Sequence, residues 1–133
     1  MDFNFVTNRV ATGALIHNEA DLLVLIQAGI THIIDCCEPE DAGVSNHPDI
    51  HYLHNPTGDD GQHKNASWFE VSINFGLEAL SHPKNKVLAH CAAGVNRGPS
   101  TCYALLRSQG LAADEAERLI RSARPQVGLP VFE

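Results

Sequence analysis

The sequence predicts an α/β protein: a central, mostly parallel sheet of four to five strands with helices on both faces. Three observations carry this prediction. Short β-branched runs alternate with segments of helical period, the order that a parallel sheet with crossover helices produces. Glycine and proline punctuate the boundaries between them. A brief apolar strand at residues 86–90 leads through a short loop into a helix at 99–109.

The elements follow in chain order. Residues 8–16 (NRVATGALI) have mixed strand character. Asn18-Glu-Ala-Asp21 opens a helix whose Leu22, Leu23, Leu25 and Ile26 fall on one face, and Gly29 stops it. Residues 30–36 (ITHIIDC) suit a buried strand, 39–48 is turn-rich, and 50–54 reads as another strand. The loop 55–65 is rich in Gly, Asp, Asn and His, and a loop of this length in a compact domain often carries function. Ser67 is the expected cap of a helix carrying Phe69, Ile73, Leu77 and Leu80. Pro99 suits the first position of the helix at 99–109, Gly110 ends it, and a last helix covers 112–123. No repeat or linker divides the chain, so one domain over 1–133 is expected.

Composition narrows the function classes. Hydrophobic residues make up 44% and charged residues 19%, an ordinary globular balance. No apolar run approaches the roughly 18 residues a membrane span needs. The start, Met1-Asp2-Phe3-Asn4-Phe5, has no secretory pattern, which implies a cytoplasmic location. A formal charge of −7 argues against nucleic-acid and anionic-membrane partners, which need a basic field. Cys36, Cys37, Cys91 and Cys102 are four cysteines in a chain long enough to build its own core, so each is read for chemistry rather than as a disulfide framework.

The chemistry concentrates in Lys86-Val-Leu-Ala-His90-Cys91-Ala-Ala-Gly94-Val-Asn-Arg97-Gly-Pro-Ser100. A Cys and an Arg six apart are expected by chance about 0.2 times in such a chain, and adding His before the Cys and Gly three after it lowers this to about one in a thousand. Chance is therefore a poor explanation. A loop between a strand end and a helix N-terminus turns backbone N–H groups into one concavity, where the helix dipole adds positive potential. Ala92, Ala93, Gly94, Val95, Asn96 and Arg97 would line this anion cradle, with Gly94 free to turn the backbone. A cysteine at its mouth, beside a cation, favours the thiolate. Arg97 offers a planar fork that matches two phosphate oxygens, which lysine would not reproduce.

This segment resembles the signature loop of the protein tyrosine phosphatase superfamily, His-Cys-x-x-Gly-x-x-Arg. The element order extends the resemblance over nearly the whole chain, and the segment Asp60-Gly-Gln-His-Lys-Asn65-Ala-Ser67-Trp-Phe69 is most similar to small dual-specificity phosphatases. The resemblance implies the cysteine-based phosphatase fold and hydrolysis of phosphotyrosine, with phosphoserine or phosphothreonine as further substrates, on a phosphorylated protein or peptide. It implies Cys91 as the nucleophile that forms a phosphocysteine and Arg97 as the phosphate clamp. An aspartate on the preceding loop then acts as acid and afterwards as base, with no metal or other cofactor. Asp60 is the first choice for that aspartate and Asp59 the second, because Asn65-x-Ser67 and the Asp-Gly step favour Asp60.

His90 is expected to be structural, bonding backbone near the loop and tuning the thiolate, and Asn96 to shape the loop. Cys37 sits where similar phosphatases hold a cysteine that can form a disulfide with the nucleophile, although core packing is the favoured reading for Cys37, Cys36 and Cys102. His47, His51, His54 and His63 lack the spacing of a recognised metal site. Arg118, Arg121 and Arg124 share a helix with Asp114, Glu115 and Glu117, which suggests an ion-paired solvent face, whereas Leu105, Leu106, Leu119 and Ile120 are core.

Two departures qualify the resemblance. Similar phosphatases carry Ser or Thr after the signature Arg, where the hydroxyl helps the thiolate leave the phosphoenzyme. Here Gly98 takes that place, which predicts slow dephosphorylation and keeps open a module that captures phosphoprotein without turnover. Such phosphatases also usually continue into a last helix past the point corresponding to Val131-Phe132-Glu133, so a shortened chain or a minimal fold is expected. Asn96 before Arg97 also resembles the RNA 5′-triphosphatase branch, against which the acidic charge counts. A lipid-phosphatase reading lacks a lysine in the loop.

Overall fold

The computed structural model describes residues 1–60 and 62–128. The Gly61 of the Asp-Gly step and the end at Val131-Phe132-Glu133 lie outside the described residues. Ten elements run in the order β1 (Phe3–Phe5), β2 (Val10–Gly13), α1 (Glu19–Gln27), β3 (His32–Asp35), α2 (Ala42–Ser45), β4 (His51–His54), α3 (Ala66–Leu80), β5 (Val87–His90), α4 (Arg97–Ser108) and α5 (Ala113–Ala123).

The five strands form one sheet in the order β1-β2-β5-β3-β4. Only β1 and β2 are antiparallel, and β5 lies at the centre with β2 and β3 parallel on either side. Strand alternation divides the core in two. Val10, Ile34, Val87 and Ala89 face one side, where they meet Ala79 of α3, Cys102, Leu105 and Leu106 of α4, and Ala116 and Ile120 of α5. Ala11, Ile33 and Leu88 face the other, against Leu22 and Leu25 of α1 and Val44 of α2. Helices therefore cover both faces. Each fully buried Leu or Ile contributes about 1.5–3 kcal/mol relative to exposure.

Several boundaries differ from expectation for local reasons. β1 was not foreseen, because three residues are too few for an alternation to register. It is held by pairing to β2 and not by its own pattern. Within residues 39–48 a single helical turn, α2, forms where the Asp41 carboxylate accepts the Gly43 and Val44 N–H groups. The cap of α3 is Asn65 and not Ser67: the Asn65 side chain accepts the Trp68 N–H at 3.1 Å, and the Ser67 hydroxyl donates to that same oxygen at 2.6 Å.

Leu77 is 37% exposed, so the inward stripe of α3 is Ser72, Gly76 and Ala79. A Cβ on Gly76 would lie 2.8 Å from Leu105, which shows how closely α3 and α4 approach. In α1 the buried pair is Leu22 and Leu25, while Leu23 and Val24 face outward. Among the described residues no helix is long and apolar enough to cross a membrane.

Candidate active site

The C-terminal ends of β5, β3 and β4 open on the same edge of the sheet, where parallel α/β folds place their ligands. Cys91 follows β5 directly and is 2% exposed, and its N–H donates to the Gly13 carbonyl at 3.2 Å. The loop rises from it with Ala92 and Ala93 exposed at the mouth and Gly94 buried beneath. Gly94 has φ +70, the left-handed region that disfavours any side chain, and a Cβ there would also strike Arg124 and Gly13. Val95 and Asn96 complete the turn into α4. That helix starts at Arg97, two residues before Pro99, and no side chain caps it at Asn96. Its first N–H groups have no side-chain cap, an arrangement that suits an anion at that end.

Arg97 lies in this concavity with its guanidinium nearly buried. Its Nη1 donates to the Thr57 carbonyl at 3.0 Å and to the Cys36 carbonyl at 3.4 Å, so the strand ends fix its direction. Its Nε is buried without a hydrogen-bond partner, and the nearest carboxylate, Asp59 Oδ1, stands 4.0 Å away. A cation held from behind with a donor unspent is poised for an incoming oxyanion. Gly58, Asp59, Lys64, Trp68, Asn96, Arg97 and Ser100 line a small cleft at this point.

The two aspartates of the 55–65 loop part company. Asp60 is exposed and its Oδ1 accepts from Lys64 Nζ at 2.7 Å and from the Gln62 N–H at 3.0 Å. Those bonds, the Lys64 one foremost, hold its carboxyl below the usual range. Lys64 also donates to the Gly58 carbonyl at 2.8 Å, so it staples the loop tip internally. The loop base is anchored by Trp68 Nε1, which donates to the Asn55 and Pro56 carbonyls, and by Asn55, whose side chain donates to Trp68 and Ser72.

Behind the loop sits a second layer that sequence reasoning missed. Asp35 ends β3 at 1% exposure, with Oδ1 accepting the Cys37 N–H at 2.9 Å and Oδ2 accepting the Tyr52 hydroxyl at 2.5 Å. The Nε2 of the fully buried His90 lies 3.6 Å from Asp35 Oδ1. Neither His90 nitrogen closes a hydrogen bond of good geometry, although the Asp35 carboxylate and a backbone interaction with Cys91 both favour the charged ring. Burial pushes the His90 pKa down, against the opposing pull of Asp35. The four cysteines are free thiols and buried. Burial raises Cys36, Cys37 and Cys102 to about 12. A carboxylate next to the apolar pair Ile33-Ile34 in the expected buried strand 30–36 was the available signal for Asp35.

Arg124 is the clearest correction. Arg118 and Arg121 do pair on the surface, with Glu115 and Glu117 at 2.6 and 2.8 Å. Arg124 is instead fully buried, donating to the Gly94 and Ala93 carbonyls at 2.7 and 3.2 Å and to Asp2 and Asn4 from β1 and its approach. The four histidines do not gather either. His47 accepts the Asp49 N–H, His51 stacks on His32 at 4.5 Å, His54 donates to the Cys37 carbonyl, and His63 is exposed.

Comparison with known proteins agrees with this architecture. The chain matches the family model "Dual specificity phosphatase, catalytic domain" over residues 16–131. It is similar to dual specificity protein phosphatase 2 of Mus musculus, 29% identical over 111 residues that cover 81% of this chain and 33% of the relative. The chain thus spans about a third of that relative's length. Among solved structures it resembles PTPMT1 in complex with PI(5)P, with a TM-score of 0.82 and 16% identity over 95% of this chain and 85% of that one. It also resembles Tk-PTP in the active form, with a TM-score of 0.80 and 23% identity over 95% of this chain and 86% of that one. At these identities the structural likeness is one of fold.

Proposed function

We propose that this chain, which belongs to the dual specificity phosphatase family, is a cysteine-dependent protein phosphatase acting on phosphotyrosine, with phosphoserine and phosphothreonine as further substrates. One observation carries the reading: Cys91 stands at the head of an uncapped helix-terminal loop whose far end, Arg97, holds a buried guanidinium nitrogen without a partner. Residues 1–133 act as one catalytic domain in this reading.

The Cys91 thiolate attacks phosphorus and the ester oxygen leaves, so that an S–P bond replaces an O–P bond. The backbone N–H groups of 92–97 and the Arg97 fork hold the three phosphoryl oxygens as charge develops on them. Asp60 gives the leaving oxygen its proton, then takes one from the water that cleaves the phosphocysteine. In the resting geometry Asp59, at 4.0 Å, guards the Arg97 Nε as an incoming phosphate would. A carboxylate against the clamp repels a phosphate dianion, so Asp59 serves better as a placeholder that substrate displaces than as the donor. In this reading Asp60 must leave Lys64, its partner at 2.7 Å, to act as the donor. His90 supports the loop from below, and Asn96 shapes it.

A disulfide between Cys37 and Cys91 would need a peroxide to oxidise Cys91 to a sulfenic acid, which the Cys37 thiol would then attack with loss of water. The raised pKa of Cys37 disfavours that attack. The acidic charge supports a partner that is neither nucleic acid nor an anionic membrane. No lysine lies in the 92–96 loop to meet the extra phosphates of a phosphoinositide.

The test is steady-state phosphate release from para-nitrophenyl phosphate without added metal. Turnover that disappears in Cys91→Ser is expected. A wild-type burst of one para-nitrophenol per chain, the phosphoryl group staying on Cys91, with no steady phosphate release would instead support capture without turnover, the reading that Gly98 favours.

A further inference from the structure

We propose that Asp35, Cys37 and His90 form a binding site for a zinc-class divalent cation, buried directly behind the phosphate-accepting loop. Their ligand atoms all lie within 4.8 Å of one another, the one such group of His, Cys and carboxylate among the described residues. The donor set, one thiolate, one imidazole and one carboxylate, is that of an open tetrahedral zinc site with a fourth position left for water.

The His90–Asp35 distance suits a metal better than it suits the pair alone. His90 Nε2 and Asp35 Oδ1 are 3.6 Å apart, too far for a hydrogen bond. Two ligands on one tetrahedral zinc, at bond lengths near 2.1 Å, sit about 3.4 Å apart. His90 is fully buried and neither ring nitrogen closes a hydrogen bond of good geometry, a cost that a metal–nitrogen bond would remove. The carboxylate is already oriented. Tyr52 donates to its Oδ2 and the Cys37 N–H to its Oδ1, the kind of outer partners that aim metal ligands. Binding forms a Zn–S bond as the Cys37 proton passes to solvent. The dication then meets one thiolate and one carboxylate, so the buried site carries no net charge.

The site stands independently of the phosphatase reading. A chain without turnover can still bind metal, and an active one can fail to. The experiment is a titration of the full chain with Co²⁺, read by thiolate-to-cobalt absorption. The expected result is saturation at one equivalent, bleaching by Zn²⁺, retention in Cys91→Ser and loss in Cys37→Ala, with affinity 10–100-fold weaker in Asp35→Asn. A wild-type chain with no saturable band overturns the proposal. So does a band that survives Cys37→Ala and vanishes in Cys91→Ser, because the nucleophile would then be the ligand. Melting adds an arm that does not depend on mutant folding: Zn²⁺ should raise the Tm of the wild type and of Cys91→Ser, and an unchanged Tm in both counts against the site.

Discussion

Arg124 and Gly94, thirty residues apart, are joined by a 2.7 Å hydrogen bond from the guanidinium Nε to the loop carbonyl. The same side chain reaches Ala93 and, through Asp2 and Asn4, ties the N-terminal segment to the loop. Arg124→Met would strand two carbonyls and a carboxylate. A loss of about 2–4 kcal/mol in stability follows, with kcat/KM lowered at least tenfold under conditions where the variant remains folded. Chemical denaturation and steady-state kinetics on the same samples check both.

Asp2 gives that network its pH dependence. Its hydrogen bond to Arg124 holds the Asp2 pKa below 3.8. The stabilisation is therefore fully present above that value and fades as the pH falls through the lower folded-state pKa. Asp2→Asn should remove this acid-side component. It should cost less than Arg124→Met, since the Asp2 side chain is 62% exposed and the pair is screened on that side. Denaturation midpoints at pH 2.5, 4 and 7 test the prediction.

The two loop aspartates separate by kinetics. Asp60→Asn should lower kcat by about 10²–10⁴-fold, the usual loss of a general acid. Asp59→Asn should change kcat less than tenfold and tighten inhibition by inorganic phosphate, because a competing carboxylate leaves Arg97. A large kcat loss in Asp59→Asn with little in Asp60→Asn would reverse the assignment.

Gly98→Ser restores the hydroxyl that the resemblance expects. A Cβ there would stand 3.0 Å from the Ala89 carbonyl and 3.2 Å from the Cys91 nitrogen, tight but within a small shift. Faster breakdown of the phosphoenzyme is expected, read in a quenched-flow burst as a smaller burst amplitude and a higher steady rate. A modest fall in Tm should accompany it.

His32 is predicted to make the fold sensitive to mild acid. Burial, then the neighbouring His51, lowers its pKa below 6.5, with Glu78 opposing and His82 assisting, and Lys84 lining the same hollow. Above 6.5 the group is neutral in both states and contributes nothing to the slope. As the pH falls from 6.5 towards the folded pKa, the unfolded chain takes up the proton first and stability drops. His32→Gln should flatten the urea midpoint between pH 5 and 7.

The residues that the sequence made legible were those whose role is local. The signature segment from His90 to Arg97 is contiguous, so the strand, loop and helix it needs could be read from its own spacing. The central strands showed because burial on both faces writes an unbroken apolar run, as in Val87 to Ala89. Leu77 of α3 was misplaced because the most buried positions of that helix are small residues, Ser72, Gly76 and Ala79, which carry no hydrophobic signal. α4 began earlier than Pro99 because the loop geometry, not the proline, sets its first turn.

By itself the sequence determined the α/β class and the strand, loop and helix that carry Cys91 and Arg97, since each depends on residues close in the chain. Tertiary structure alone decided that Arg124 supports the loop rather than facing solvent, and that Asp35, Cys37 and His90 converge. It also decided that Asp60 is tied to Lys64 while Asp59 faces Arg97. The reason is physical. A charged side chain carries the same letter whether exposed or buried, and only the packing of distant segments sets which partners it meets and what its burial costs.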